Sequence, residues 1–316
     1  MQRQLLLAAM LGAVSVTAAG QTSAPAAPPP ALAAGVAASA AVAPPDPKEL
    51  IRKAAENDEE NDRRQRNYTY IQRVEEHKLD GSGNTRSVET KTYEIMVLYG
   101  EPIERLIEKN DKPLPPDEAE KEEKRVNKIA EKRKNEGPGD RKKRLEKEEK
   151  EREESRAFDK ELAEAYIFTL VGQEVVNGRP AWVIKGDPRP GYQPKLKGAK
   201  VLPKIRGQVW IDQQDSQFVK GDLEVIDTIS WGGFIARVHK GTRFHFEQTR
   251  VNDEVWLPQL ANVHVDARLL LFKGFNLNLN IAYRDYRKFR TESRVLGVVG
   301  EASDPPPPAP AAPPQL

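Results

Sequence analysis

The chain has no cysteine at all. That excludes a disulfide framework, cysteine-based zinc sites, thiol catalysis and a lipid anchor carried on cysteine. It also lacks an excess of either charge: 50 Lys and Arg stand against 48 Asp and Glu, a net of +2 over 316 residues. Such a balance gives no overall pull towards nucleic acid or an anionic membrane. Beyond the first twenty residues no window offers 18 consecutive apolar positions, the length a membrane-spanning helix needs. Catalytic signatures are missing too. There is no GxSxG elbow and no HExxH, and Gly186–Gly191 has the spacing of a phosphate loop but is followed by Tyr192 where lysine is required. No cofactor-binding or metal-ligating set stands out, so none is assigned, and the chain reads as non-enzymatic.

Large apolar residues are also scarce in three segments. Residues 21–46 hold 11 Ala and 6 Pro, and residues 303–316 hold 7 Pro and 3 Ala. Neither segment has the side chains to offset the entropy of ordering, so a disordered linker (21–46) and tail (302–316) are expected. The third is 117–157, with 15 basic and 14 acidic residues among 41 and a break at Gly137-Pro138-Gly139. Some i,i+4 pairs there attract (Glu120 and Lys124) and others repel (Lys124 and Lys128), and no heptad is sustained. A solvated helical hairpin inserted in the fold is expected. Its alternative use is a docking surface for a charged protein partner.

At the start, Arg3 precedes an apolar run of ten, Leu5–Val14, and then Thr17-Ala18-Ala19-Gly20. This is the grammar of a cleaved export signal over residues 1–20, with cleavage near Ala19 or Gly20. A soluble periplasmic protein is the expectation.

What remains is rich in strand signals. Asp46-Pro47 is an N-cap followed by proline at the first helical position, and predicts a helix from about Pro47 to Arg64. From Tyr68 the pattern turns to strands: Tyr68–Val74, Thr85–Leu98 and Glu104–Glu108, with turns at Asp80–Asn84 and Asn110-Asp111. After Tyr166 the chain reads as almost purely β. Asn177-Gly178 lies between two apolar runs, a strong hairpin signal. Further strands are predicted at Gln208–Asp212, Phe218–Asp227, Phe234–Val238, Thr242–Val251 and Val255–Leu257. Val263, Val265, Ala267, Leu269 and Leu271 then alternate with Asn262, His264, Asp266 and Arg268, and the Asn276–Tyr283 segment repeats the period. Strict alternation marks an antiparallel sheet with one apolar and one wet face. The predicted fold is mainly β with α: a single large curved antiparallel sheet, a half-barrel, packed on one or more helices. It occupies residues 47–301 and carries 117–157 as an insertion.

Of the four histidines, His245 and His264 are expected on neighbouring strands with Glu247 and Asp266 on the same polar faces, as solvated residues. The aromatics suggest more. Trp182, Trp210, Trp231, Phe244, Phe246 and Trp256 fall in or beside strands, and are candidates to line an apolar cavity on the concave side of the sheet.

Gly207-Gln208-Val209-Trp210-Ile211-Asp212 and the return strand Phe218–Glu224 resemble a hairpin recurrent in the periplasmic lipoprotein-carrier superfamily, the LolA-like, LolB-like and RseB-like half-barrels of outer membrane lipoprotein-sorting proteins. Val175–Trp182 and Glu254–Pro258 are similar to other hairpins of that group. The resemblance covers roughly 160–290 well and 47–110 loosely. It implies about eleven strands wrapped around helices, an apolar cavity between them, a lipid, acyl-chain or lipoprotein ligand, and no catalysis. It transfers no ligand-contact residue. The charged insertion and the Pro/Ala ends are additions to that pattern.

Overall fold

The computed structural model describes residues 44–98, 101–231, 236–269 and 273–289. Residues 1–20, expected to be an export signal, nearly all of the Ala/Pro linker and the Pro/Ala tail lie outside the described residues, as do Phe234 and Leu271.

Helix α1 spans Pro47–Gln65, with the Asp46 carboxylate accepting from the Lys48 N–H at 3.0 Å. Strands β1 (Tyr68–Leu79), β2 (Thr85–Leu98), β3 (Glu101–Lys109) and β4 (Lys112–Pro113) follow. Next come helices α2 (Pro116–Lys134) and α3 (Pro138–Ala165). The rest is β: β5 (Tyr166–Val176), β6 (Arg179–Pro188), a 3-10 helix (Gly198–Lys204), β7 (Ile205–Asp212) and β8 (Phe218–Val225). Then β9 (Ile229–Trp231), β10 (Ala236–Val238), β11 (Arg243–Val251), β12 (Val255–Leu269) and β13 (Lys273–Lys288).

All the strands join one antiparallel sheet in the order β4-β3-β2-β1-β13-β12-β11-β8-β7-β6-β5, with the β9–β10 hairpin added beside β12. The sheet is open and curved and rests on helices, the half-barrel that the alternation predicts. Its tight turns follow from their residues. Asn110-Asp111, Asn177-Gly178 and Asn252-Asp253 all adopt positive φ at both central positions (50° to 78°). That conformation matches the strand twist and is tolerated best by Asn, Asp and Gly.

Three details differ from the sequence reading. Val255–Leu257 and the alternating 261–269 segment are one strand, β12, interrupted by a register shift opposite Glu247/Gln248. That irregularity accommodates Pro258, which would break a regular ladder. The strand predicted over Phe218–Asp227 ends at Val225 as β8, and a separate short strand, β9, follows at Ile229–Trp231. Helix α3 runs on through 158–165, where Phe158, Leu162 and Ala165 pack with Tyr166, Ala199 and Leu202. The charge run conceals that apolar end.

Candidate binding faces of the sheet

Strand alternation divides the sheet side chains into two sets, and the registers show which is which. Leu170, Ile184, Val209, Gly221, Phe246, Ala261, Ile281 and Val74 are direct cross-strand partners from β5 to β1. Ile184 packs on Ile51 and Ala54 of α1, so this row faces the helices. One residue over, Lys185, Gln208, Asp222, His245, Asn262 and Asn280 form an equally continuous row. It faces the other way and is polar throughout.

On the helix side, α1 packs on β5, β7, β8 and β12, and α2 packs on β3. The α2 contact is made by Val126, which is buried, and by Glu122, which accepts the Leu106 N–H at 2.8 Å. Between these flanks lie β1 and β13, whose helix-side residues Val74, Leu279 and Ile281 are half-buried. One end is walled by tyrosines: Tyr70 meets Tyr283 edge-on at 5.9 Å and Tyr286 at 5.8 Å. Burial pushes all three phenols above their ordinary range, so they remain neutral. Glycines allow close stacking across the strands. A Cβ at Gly221 would run into the ring of Phe246, and one at Gly207 would meet Leu223 and the Asp222 carbonyl oxygen.

The five aromatic candidates whose side chains are described do not form one lining. Phe244, opposite Leu223 and Val263, is buried in a cluster with Val225, Ile229 and Val238. Phe246 and Trp182 are half-buried on the helix side, Trp182 opposite Ile211. Trp210 and Trp256 share a different buried cluster with Val176, Ala181, Val183 and Val219. Trp210 donates to Glu174 at 2.7 Å, with the Lys220 ammonium 4.5 Å above its ring. Trp256 donates to Asp215 at 2.9 Å beneath the Arg179 guanidinium, 5.5 Å away. Trp231 belongs to β9, and its side chain lies outside the described residues.

Sequence reasoning missed the polar seam that fixes α1. Asn57, Asn61 and Gln65 recur every four residues on one helix face. Asn61 both donates to the Trp256 carbonyl and accepts its N–H, each at 2.8 Å, and Gln65 donates to the same carbonyl at 2.8 Å. Asn57 donates to the Asp215 carbonyl at 2.8 Å. Beside this seam Asp212, 1% exposed, takes a two-pronged bond from Arg179 at 2.7 and 2.9 Å and the N–H groups of Gln214 and Asp215. Burial alone would raise its carboxyl; Arg179 and the backbone donors outweigh that and hold it below the usual carboxylate range. The Asp of the Trp210-Ile211-Asp212 motif is therefore a turn-former and ion-pair anchor. The i,i+4 spacing of the amides was the available signal, submerged among charged neighbours.

No family model matches the chain, and no curated protein matches it. Solved structures do. One is a domain from Vibrio parahaemolyticus named for outer membrane lipoprotein sorting, 13% identical, covering 78% of this chain and 95% of that one at a TM-score of 0.34. A LolA superfamily protein from Nitrosomonas europaea is 10% identical, with 77% and 93% covered and a TM-score of 0.27. The MucA/MucB complex of Pseudomonas aeruginosa contributes a chain 13% identical, with 78% and 100% covered and a TM-score of 0.23. No helix among the described residues is long and apolar enough to cross a membrane. The fold is defined by the strand registers themselves.

Proposed function

We propose that this is an exported, non-enzymatic binding protein that holds a lipid, an acyl chain or a lipid-bearing protein against the helix side of its sheet. The observation that carries this reading is the apolar row between the two helical flanks. Val74, Leu279 and Ile281 are half-buried there, while their alternates Glu75, Asn280 and Ala282 belong to the opposite face. An elongated apolar ligand needs such a surface, with few polar anchors. Export is supported by Arg3 and the Leu5–Val14 run ahead of small residues.

The test is extraction of copurified lipid from natively expressed protein, together with titration of a fluorescent fatty-acid probe. Val74→Asn, which puts an amide in the row, is expected to weaken the probe about tenfold, the loss of one well-buried apolar contact. Absence of lipid and of probe binding would sink the reading.

A second reading assigns binding to the charged arm, α2 and the first half of α3. It is favoured by an ordered tip. Glu136 is gripped by Arg144 at 3.0 Å and Arg133 at 3.5 Å, with Leu145 left 47% exposed beside it. Replacing residues 130–149 by a short turn discriminates: a partner captured by the full chain and lost by the shortened one supports the arm.

A further inference from the structure

The helix-free face carries a trough of about 540 Å³ that runs across the strands from Lys185 to His77. The sheet curls towards this side at the β5–β7 end. There the Asn177 amide reaches the Gln248 carbonyl at 2.9 Å and Gln259 at 3.0 Å, and the Trp210 cluster closes on Trp256. Curvature, not a covering element, makes the concavity.

The floor of this trough has a definite chemistry. Asn262 donates to Asn280 Oδ1 at 2.9 Å, and His264 Nδ1 is paired with Asn278 Oδ1 at 2.7 Å. These bonds orient each group while leaving the amide hydrogens of Asn278 and Asn280, the oxygen of Asn262 and His264 Nε2 for a ligand. Next along β13, Asn276 Oδ1 is buried with no hydrogen-bond partner. The charges cancel locally: Arg206 bonds Glu224 at 2.8 Å, and His245 Nδ1 lies 2.6 Å from Asp222. Among the described residues no three His or carboxylate groups converge as metal ligands.

We infer that this trough binds a short neutral oligosaccharide laid across the strands. Hydroxyl groups donate and accept in turn, which is what alternating amides and imidazoles on a flat surface satisfy. Adjacent strands stand about 4.8 Å apart, close to one sugar ring per strand in an extended glycan. The cations that line the trough already face carboxylates (Lys185 to Asp187 at 2.7 Å, Arg206 and Arg243 to Glu224 at 2.8 and 3.9 Å), so an anionic ligand would have to compete with those carboxylates, and an apolar one would strand the amides without partners. Trp210 lies on this face but is sealed under Lys220, so recognition is by hydrogen bonds rather than ring stacking. The inference is independent of the apolar row, which lies on the other side of the same strands.

The test uses the full chain with chitotetraose and cellotetraose as neutral probes and inorganic phosphate as the anionic comparison, read by calorimetry and by shifts of the asparagine side-chain amide resonances. At least one tetrasaccharide is expected to bind at millimolar concentration or below, moving those amide signals. Asn262→Ala and Asn278→Ala are each expected to weaken it about tenfold, while fatty-acid probe binding and thermal unfolding stay as in the parent. Failure of both tetrasaccharides to bind, equal or tighter binding of phosphate, or unchanged affinity in both variants would overturn the inference.

Discussion

Helix α1 and the arm formed by α2 and the first half of α3 look alike in composition, both crowded with charged and amide side chains. They are held very differently. In α1 the polar groups that matter are buried and bonded to backbone: Asn61 and Gln65 are 5% and 6% exposed and grip the backbone N–H and carbonyl of Trp256 in β12. In the arm, pairs such as Lys142–Glu146 and Lys147–Glu151 are separated by 3.8 and 3.6 Å with lysine side chains 78% exposed. Water competes for exposed pairs at little cost, whereas a buried amide without its partner has no substitute. Composition alone cannot rank the two regions; the location of the partner does.

The sharpest way to break that comparison is Asn61→Ala. It removes the partner of the buried Trp256 N–H and a donor to the Trp256 carbonyl, and is expected to cost about 2–4 kcal/mol in urea-induced unfolding. A loss under about 0.5 kcal/mol would put α1 in the same class as the arm. Asp212→Asn comes next, at about 2–3 kcal/mol, because Arg179 loses a charged partner and the turn loses an acceptor. It also bears on pH. The folded carboxyl sits below its unfolded value, so its stabilisation is complete above the ordinary aspartate range and fades as pH falls through the depressed folded value. Acid unfolding of the parent should therefore include a step between those values that is missing in Asp212→Asn.

Gly221→Ala, on the apolar row, is expected to lose about 1–3 kcal/mol, since the new methyl meets the Phe246 ring and must displace it. The smallest effect belongs to the arm. Exchanging Lys142 and Glu146 should change stability by less than about 0.5 kcal/mol, vanishing in high salt. A larger change would mean the arm is packed rather than solvated.

Much of the fold was legible because its signals are local. Asp46-Pro47 announces α1, the Asn-Gly and Asn-Asp pairs set the hairpins, and alternation along β12 and β13 gives the two faces. What stayed hidden depends on contacts between distant residues. The junction of Val255–Leu257 with the following alternating segment was masked by Pro258, whose tolerance comes from a register shift against β11. Phe244, Trp210 and Trp256 were legible as core material but not as members of two separate clusters, because a strand residue's face is known only after its bulges are placed. The Leu170/Gly172 shift in β5 and the Trp210/Ile211 shift between β7 and β8 decide that, and neither leaves a mark in hydropathy. The trough was half legible. The Asn276–Asn280 alternation marked a wet face, but the curl that makes it concave comes from Asn177 reaching β11.

The strand order has a consequence in time. The pairing of β1 with β13, Tyr68 opposite Lys288, lies in the middle of the sheet, with Phe289 also bonding back to Asn67. Until β13 is delivered, β1–β4 and β5–β12 are two separate sheets with no hydrogen-bonded seam between them. The keystone is thus the last of the described strands that synthesis supplies, and its closure joins residues at opposite ends of the fold. Such long-range closure is slow and leaves strand edges exposed while it is awaited. A chain stopped short of residue 273 loses the centre of its sheet rather than an edge, so even a modest truncation at this end divides the molecule in two.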